Sequence, residues 1–302
     1  AFFCSVYKND NWLHKEVSYH FFIQISLTSP VKHSTILVRV YKKMYVITKK
    51  KWGKNMKILI KNGMIVSDSE TYQADILIED EKVKWIGTDL PKTDVDTVID
   101  AEGKYIIPGA IDVHTHMDID VGIARAVDDF YDGTVAAACG GTTSIVDHMG
   151  FGPAGVPLHY QFNEYKKLTE GKAVIDYGFH GVAQHVDDDI IAELETMAED
   201  GIPSVKAYLT YGFKLNDAEV LQILKKMKEI GGVTAFHCEN HELVEYMKKK
   251  LVKEGKTAPI YHAKSRPNLV EAEAVERVLK LARLAGDAPV YIVHLSCKES
   301  LE

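Results

Sequence analysis

Cysteine, proline and long apolar runs are all scarce in this chain of 302 residues. Its four cysteines, Cys4, Cys139, Cys238 and Cys297, show no paired or CxxC spacing. That spacing argues against a disulfide framework or a cysteine-rich zinc fold, and it favours reduced thiols. No apolar stretch approaches the ~20 residues that cross a bilayer, and no clear signal-peptide cleavage site follows the short apolar run at residues 21–27. We therefore expect a cytoplasmic protein with no membrane partner.

An excess of positive charge is also lacking. Lys and Arg number 36 against 43 Asp and Glu, which gives a formal net charge of -7. A mildly acidic chain is a poor candidate for nucleic-acid binding, so we expect no nucleic-acid partner. Apolar residues make up 46% and charged residues 26%, which is the balance of a globular protein and excludes wholesale disorder.

The basic residues are concentrated at the start of the chain. Residues 1–55 hold ten Lys or Arg and two Asp or Glu, whereas the remaining residues hold 26 and 41. This segment fits no strand or helix pattern well and ends in a lysine cluster before Met56. We interpret it as upstream sequence that is not native to the fold, with Met56 as the start. The alternative is a basic arm that binds acidic partners.

From residue 56 to 108, short runs rich in β-branched residues alternate with turns such as Lys61-Asn62-Gly63. We expect a small antiparallel sheet here, forming the N-terminal part of a small β-sandwich-like domain. The Pro108-Gly109 pair marks its end.

After Pro108 the pattern changes to buried strands that alternate with amphipathic helices. This alternation predicts an α/β fold with a parallel sheet and outer helices. Six strands of a longer series indicate a partial (β/α)8 barrel, about six of eight units, in a domain spanning residues 109–302. We therefore expect that the chain ends before the barrel closes. The predicted strands are 110–114, 142–148, 173–180, 204–209, 233–237 and 290–295, and the predicted helices are 127–139, 188–199, 217–230, 241–254 and 270–285.

Two histidines end the first barrel strand, at the face where barrel enzymes place their active sites. His114 and His116 are separated by Thr115, so alternation along an extended strand puts both imidazoles on one side. Two adjacent imidazoles form a ready metal chelate. His237 and His294 end two later strands in the same way and are further candidate ligands.

Lys206 lies within the apolar strand at 204–209. Such a lysine either points outward and extends along the helices to solvent, or points inward and must be neutralised or paired. An inward lysine beside these histidines is a candidate for carbamylation, in which CO2 converts the amine to a carboxylate. Four imidazoles and one modified lysine are too many ligands for one tetrahedral zinc, and they suit two metals that share a hydroxide.

The chain from Met56 onward resembles the cyclic amidohydrolases, the family of D-hydantoinases and dihydropyrimidinases, and especially their phenylhydantoinase branch. The motifs that carry the resemblance are Pro108-Gly109-Ala110-Ile111-Asp112-Val113-His114-Thr115-His116, Gly140-Gly141-Thr142-Thr143, Lys206-Ala207-Tyr208-Leu209-Thr210-Tyr211, His237-Cys238-Glu239-Asn240, Tyr261-His262-Ala263-Lys264-Ser265-Arg266-Pro267 and Val293-His294-Leu295-Ser296.

The resemblance implies that a cyclic amide such as a hydantoin or dihydropyrimidine is hydrolysed to an N-carbamoyl amino acid. It implies two divalent metal ions, with zinc the expected metal and manganese an alternative. His114 and His116 would bind one ion, His237 and His294 the other, and carbamylated Lys206 would bridge them. Tyr211 would hydrogen-bond the substrate carbonyl oxygen, Ser296 would contact the ring amide, and the complete protein would be a homotetramer.

This chain departs from the family pattern in one respect. Family members continue through two further strands, which carry a metal-binding aspartate that shuttles the proton, and no residue here can stand for it. We consider an allantoinase and a non-catalytic dihydropyrimidinase-like scaffold protein as alternatives, and retention of all five candidate ligands argues against the scaffold. Dihydroorotase is disfavoured because Met117 and Asp118, not arginine, follow His116.

Overall fold

The computed structural model describes residues 56–79 and 82–302, together with the backbone of five short strands earlier in the chain. The prediction that residues 1–55 are not native to the fold falls mainly outside the described residues and stays a prediction. The five strands pair as β1 with β2 and β4 with β5, both antiparallel, while β3 runs parallel to a strand described below. Their bounds are β1 Phe3–Lys8, β2 Asn11–Glu16, β3 Phe22–Ile25, β4 Ile36–Val40 and β5 Lys43–Ile47.

Contacts divide the chain into two compact units. The first consists of Ala1–Asp118, Ala126–Asp147 and Leu168–Gly178, and the second of Ile119–Arg125, His148–Lys167 and Phe179–Glu302. The boundary that we predict between residues 108 and 109 is a division by sequence pattern, and it stays a prediction.

Five strands after Met56 form a β-sheet in the first unit. Buried isoleucines alternate along them and build its core, which includes Ile58, Ile60, Ile76, Ile78 and Ile106. The sheet order is β3-β10-β6-β7-β8, and β9 pairs with β6. The strands are β6 Lys57–Val66, β7 Thr71–Glu79, β8 Lys82–Gly87, β9 Thr97–Asp100 and β10 Tyr105–Pro108.

Two details of this sheet differ from expectation. The predicted antiparallel sheet is wrong in part, because β9 and β10 both run parallel to β6. The predicted turn at Lys61-Asn62-Gly63 is also wrong: β6 continues through it with an irregular register between Ile60 and Gly63. Asn62 takes a left-handed conformation with φ 63°, so the turn-forming residues make a bulge and not a reversal.

The buried Asp75 holds this bulge. Its carboxylate accepts hydrogen bonds from Lys61 Nζ at 2.6 Å, from the Asn62 backbone N–H at 2.9 Å and from the Leu90 backbone N–H at 3.0 Å. Burial alone would raise the pKa of Asp75, but these donors outweigh it and lower the pKa below the usual range. The carboxylate therefore links β6, β7 and the segment after β8.

The first unit also contains the start of the parallel strand–helix series. Strand β11 (Ala110–Thr115) pairs parallel with β12 (Thr142–His148), and helix α1 (Phe130–Gly140) connects them. Asp129 caps α1 by accepting from the N–H groups of Tyr131 and Asp132. Gly141 ends the helix in a left-handed conformation with φ 96°, as is usual for a C-terminal glycine.

The second unit continues the series, with β13, β14, β15 and β16 paired in parallel and in chain order. The helices between them each bury one apolar face; in α4 the buried residues are Val220, Ile223, Leu224 and Met227. The elements are α2 Leu158–Thr169, β13 Asp176–Val182, α3 Asp188–Glu199, β14 Ser204–Tyr208, α4 Asp217–Glu229, β15 Val233–His237, α5 His241–Lys253, α6 Ile260–Lys264, α7 Asn268–Leu284, β16 Val290–Ile292 and α8 Lys298–Leu301.

Parallel strands that alternate with helices confirm the predicted α/β class, with β11 to β16 supplying six units of a partial (β/α)8 barrel. Helix α2 is absent from our prediction. Strand β16 ends at Ile292 and not at residue 295. The expectation of reduced thiols is correct for Cys238 and Cys297, which are free and buried, and wrong for Cys139, which is disulfide-bonded. Within the described residues, every helix is too short or too polar to cross a membrane.

The N-terminus of helix α2 is capped by a side chain from another helix. Glu193 of α3 accepts from the backbone N–H groups of Leu158 at 2.6 Å and His159 at 2.8 Å. It also accepts from His159 Nδ1 at 2.5 Å, while His159 Nε2 lies 3.1 Å from Asp200 Oδ2. Burial lowers the pKa of His159, but the two carboxylates outweigh burial and raise it above the usual range.

Replacing Asp75 by alanine should destabilise the first unit. The change leaves the Asn62 and Leu90 N–H groups and the Lys61 ammonium without their acceptor, which costs about 3 kcal/mol for a buried, hydrogen-bonded charge. Urea unfolding followed by circular dichroism measures the loss. Asp94→Ala is the matched control because Asp94 pairs with Lys57 at the exposed surface, and a comparable loss in both variants would contradict the role given to Asp75.

The ion pairs of His159 should make stability depend on pH. A folded-state pKa above the unfolded value gives stability that is fully present below pH ~6.5 and is lost as the pH rises through the folded-state pKa. The free-energy difference between the unmodified chain and His159→Gln should therefore shrink as the pH is raised from 6 to 9. Urea unfolding across that range measures it. The double substitution Glu193→Gln with Asp200→Asn should remove this pH dependence, and its persistence would contradict the assignment.

Candidate metal centre and substrate site

The first predicted ligand pair lies at the carboxyl end of β11. The rings of His114 and His116 are adjacent, with centroids 4.8 Å apart and an interplanar angle of 86°. The Asp112 carboxylate accepts from the His114 backbone N–H at 3.1 Å, which ties the strand end locally. The structure thus brings together the two imidazoles that strand alternation placed on one side.

A buried aspartate behind this pair is a residue that sequence reasoning missed. Asp147 Oδ2 accepts from Thr115 Oγ1 at 2.6 Å and from the Met117 backbone N–H at 2.9 Å, so it holds the residues on either side of His116. Asp147 is fully buried. Burial raises its pKa to about 7, helped by the charges of Asp118 and Asp112 and opposed by the two hydrogen bonds. The available signal was an acidic residue inside the apolar strand β12.

Gly109 allows β11 to approach β12 closely. A Cβ atom at this position would collide with Thr143 Oγ1. Glycine in the Pro108-Gly109 pair is therefore required by the spacing of the strands that carry His114 and Asp147.

Lys206 lies in the middle of β14 and is only 1% exposed. This burial decides between the two orientations left open by the sequence, because the side chain does not reach solvent. Its Nζ lies 5.1 Å from the centroid of the Tyr208 ring, and within the described residues it forms no salt bridge. Burial lowers the pKa of Lys206 to about 7, although the nearby Cys238 thiol opposes the shift. A large fraction of the amine is therefore neutral near pH 7.

The second histidine pair and the predicted substrate tyrosine form one aromatic cluster. The His237 ring centroid lies 4.5 Å from that of His294, 5.1 Å from that of Tyr211 and 5.6 Å from that of Tyr208. Parallel pairing of β14 with β15 places Tyr208 directly beside His237. Phe151 and Phe213 stack with centroids 4.0 Å apart, and these centroids lie 5.7 Å and 4.9 Å from that of Tyr208.

Two members of this cluster have left-handed backbones. Tyr211 has φ 72° and His294 has φ 44°, both unfavourable for residues with a Cβ. His294 occupies this conformation because β16 ends two residues earlier, so it lies in a turn and not in the predicted strand. Backbone strain of this kind costs of order 1–3 kcal/mol and concentrates at functional sites.

An acidic and a basic side chain, those of Glu239 and Arg266, lie next to this cluster. Glu239 Oε2 accepts from His237 Nε2 at 2.6 Å and from Arg266 Nη1. Burial would raise the pKa of Glu239, but these two partners outweigh it and lower the pKa to about 2. Burial also raises the pKa of Tyr211, with the charge of Arg266 opposing that shift. The motif His237-Cys238-Glu239 contained the signal, since it places a carboxylate next to a candidate ligand.

Ser296, predicted to contact substrate, lies against helix α7. Its backbone N–H donates to Glu271 Oε1 at 2.9 Å and its hydroxyl donates to Glu271 Oε2. The hydroxyl is thus directed at a carboxylate, and the substrate role of Ser296 stays a prediction. Two further histidines near strand ends make polar contacts: His148 Nε2 lies 2.8 Å from the Tyr208 hydroxyl, and His180 Nδ1 lies 2.7 Å from Ser204 Oγ.

The predicted ligands fall into two groups, His114 and His116 in the first unit and Lys206, His237 and His294 in the second. Among the described residues, His, Cys, Asp and Glu side chains form no group of three or more arranged to hold a metal. Each group supplies two imidazoles. In the second group, carbamylation of Lys206 would add carboxylate oxygens as further metal ligands. A buried amine with a lowered pKa fits that modification, because the neutral amine is the form that reacts with CO2.

Comparison with known proteins defines the class. The model of the amidohydrolase family matches residues 105–295. This match covers more than half of the chain, and the chain therefore belongs to the amidohydrolase family.

Its relatives are more specific. D-phenylhydantoinase of Escherichia coli O1:K1 is 52% identical over 241 residues, covering 80% of this chain and 52% of that protein. The crystal structure of dihydropyrimidinase from Brevibacillus agri NCHU1002 aligns with a TM-score of 0.79 at 44% identity, covering 82% of this chain and 53% of the other. D-hydantoinase from Bacillus sp. AR9 aligns with a TM-score of 0.77 at 42% identity, with coverages of 81% and 53%. This chain thus spans about half the length of the relatives that it matches.

Replacing Asp147 by alanine should loosen the His114–His116 segment. The loss of the acceptor for Thr115 and Met117 should lower the affinity for Zn²⁺ about 10- to 100-fold, as for other groups that orient ligands. Asp147→Asn keeps an acceptor oxygen and should lose less. Isothermal titration with ZnCl₂ measures both variants. Asp68→Ala, an exposed aspartate in the same unit, is the control, and equal affinities in all three variants would show that Asp147 does not support the pair.

Proposed function

We propose that this protein is a metal-dependent hydrolase that opens the ring of a cyclic amide, a hydantoin or dihydropyrimidine, to give an N-carbamoyl amino acid. The observation that carries the proposal is the buried Lys206 beside the His237–His294 pair, in a chain of the amidohydrolase family. The substrate class is supported by the names of its relatives, D-phenylhydantoinase and dihydropyrimidinase.

The residues that would hold metal ions are His114 and His116 for one ion and His237 and His294 for another, with Lys206 as carbamate. The carbamate would form when the lone pair of the neutral Nζ adds to the carbon of CO2: an N–C bond forms, one C=O π bond breaks and its electron pair moves to oxygen, and the nitrogen loses a proton to solvent. The modification exchanges an amine that burial disfavours as a cation for an anion that a cation can neutralise. When bound, zinc or another divalent ion supplies a Lewis acid that polarises a carbonyl and lowers the pKa of water toward ~7.

We propose that Tyr211 acts on the substrate carbonyl. Tyr211 is 39% exposed and its ring lies against His237, so the residue is partly accessible next to the proposed ligands. The hydroxyl would donate a hydrogen bond to the carbonyl oxygen as negative charge develops there, a contribution of about 10²–10³ in rate for one such donor. The side chain therefore serves as part of an oxyanion hole.

The stacked rings of Phe151 and Phe213 favour a substrate with an aromatic substituent. Both rings are half-buried beside Tyr208, and the Phe213 centroid lies 5.9 Å from that of Tyr211. An aryl group on the ring carbon of a hydantoin could pack edge-to-face on this pair. We propose 5-phenylhydantoin as a better substrate than dihydrouracil.

A hydrolysis assay tests the activity. The chain and a chimera that joins it to the C-terminal half of Escherichia coli D-phenylhydantoinase are loaded with Zn²⁺ and supplied with 5-phenylhydantoin, dihydrouracil or allantoin. We expect the chimera to hydrolyse 5-phenylhydantoin fastest, with Tyr211→Phe about 10²–10³-fold slower. Hydrolysis of allantoin alone would replace the proposed substrate class, and an inactive, folded chimera would refute the proposal.

Lys206→Ala should lose zinc and activity together, because no oxygen ligand can then form at that position. A short carboxylic acid such as propionate should restore part of both by occupying the space of the side chain. Zinc content by atomic absorption and the rate of 5-phenylhydantoin hydrolysis measure the two losses. Lys225→Ala, an exposed lysine of α4, is the control, and a Lys206→Ala protein that retains its full zinc content would refute the ligand role.

A further inference from the structure

We propose that Glu239 and Arg266 form a positioning pair that fixes the ring of His237 and holds the Tyr211 phenol beside it. The inference deepens the proposed function, on which it rests for the roles of His237 and Tyr211. Neither residue of the pair is proposed to touch substrate.

The first contact is on the imidazole. Glu239 Oε2 accepts from His237 Nε2 at 2.6 Å, and the same oxygen accepts from Arg266 Nη1. An ionised carboxylate has no proton to donate, so Glu239 Oε2 accepts a hydrogen bond from the imidazole as it does from the guanidinium. His237 Nε2 therefore carries the ring proton. In the neutral ring Nδ1 then carries the free lone pair, and Glu239 selects that nitrogen as the ligand atom.

The second contact is on the phenol. The Arg266 guanidinium carbon lies 5.7 Å from the centroid of the Tyr211 ring, within the range of a cation–π contact. Tyr211 lies in a loop with a left-handed backbone, so side-chain contacts must hold its ring. Arg266 is suited to this because it is fixed between two helices: its backbone N–H donates to Ala263 O at 3.0 Å, and Pro267 directly precedes α7.

Burial distinguishes this pair from ordinary surface ion pairs. The side chains of Glu239 and Arg266 are 14% and 18% exposed, and that of His237 is 13% exposed. Arg277 provides a comparison in the same unit, since its hydrogen bonds go to Asp217 and Glu273, between α4 and α7, and not to the His237–Glu239 pair. Exposed ion pairs contribute roughly 0–1 kcal/mol to the free energy of unfolding. The partly buried Arg266 differs from them because it contacts two side chains that have proposed roles.

The tautomer of His237 tests the first contact on the chain itself, without metal. Imidazole ¹⁵N chemical shifts of the unmodified chain should show His237 protonated at Nε2, with assignment from His237→Gln. Glu239→Ala should shift the ring to a mixture of tautomers and lower the affinity for Zn²⁺ about 10- to 100-fold, whereas Arg277→Gln should change neither. An unchanged tautomer in folded Glu239→Ala would overturn the proposal. If Glu239→Ala fails to fold, Glu239→Gln tests the same point: its neutral amide oxygen weakens the charge-assisted bond, so the ¹H signal of the His237 Nε2 proton should move upfield, and an unmoved signal would overturn the proposal.

The position of Tyr211 tests the second contact. In protein labelled with 3-fluorotyrosine, the ¹⁹F signal lost in Tyr211→Phe identifies the residue. Arg266→Gln should move and sharpen this signal, Arg266→Lys should restore it in part, and Arg277→Gln should leave it unchanged. An unmoved signal in Arg266→Gln would overturn the coupling. Both spectra are read without metal or substrate, so a chain that binds no zinc but shows these shifts would refute the proposed function and leave the positioning pair intact.

Discussion

In the described part of the second unit, Lys206 is buried with no carboxylate beside it. The polar groups around the His237–His294 pair depend on this constraint. An ammonium in that position loses its hydration and gains no counter-charge, so the neutral amine is favoured. The residues around it are uncharged or aromatic, Tyr208 and Cys238 among them. The sheet therefore presents an amine with a large neutral, nucleophilic fraction near pH 7, next to His237 and His294.

The first unit applies the same constraint to a group of opposite charge. Asp147 is enclosed at the end of β12, and burial raises its pKa to about 7. Here the compensation comes from two donors on the segment that carries His114 and His116. In both units a strand thus carries a buried polar group close to predicted metal ligands, Lys206 in the middle of β14 and Asp147 near the end of β12.

Periodicity predicted those features that depend on one strand or one helix. The pairing of His114 with His116 follows from strand alternation, and the helices α3, α4, α5 and α7 follow from their apolar faces. Features that depend on two distant segments were not predictable in this way. Glu239 meets Arg266 across 27 positions, and Asp75 turns an apparent reversal at Asn62 into a bulge by accepting from its backbone. His294 lies outside its predicted strand because pairing with β15 ends at Ile292, which local composition does not show.

The capping of α2 by Glu193 has a consequence for the order of folding. The helix start at Leu158 and its acceptor on α3 are separated by 35 positions, with β13 between them. A short polar helix is marginal by itself, so the first turn of α2 gains its acceptor only after β13 has paired and α3 has docked. This contact of high sequence separation delays α2 relative to helices that carry their own caps, such as α4 with its Asn216–Glu219 capping box. During synthesis, α2 would thus emerge before β13 and α3 but become ordered only after them.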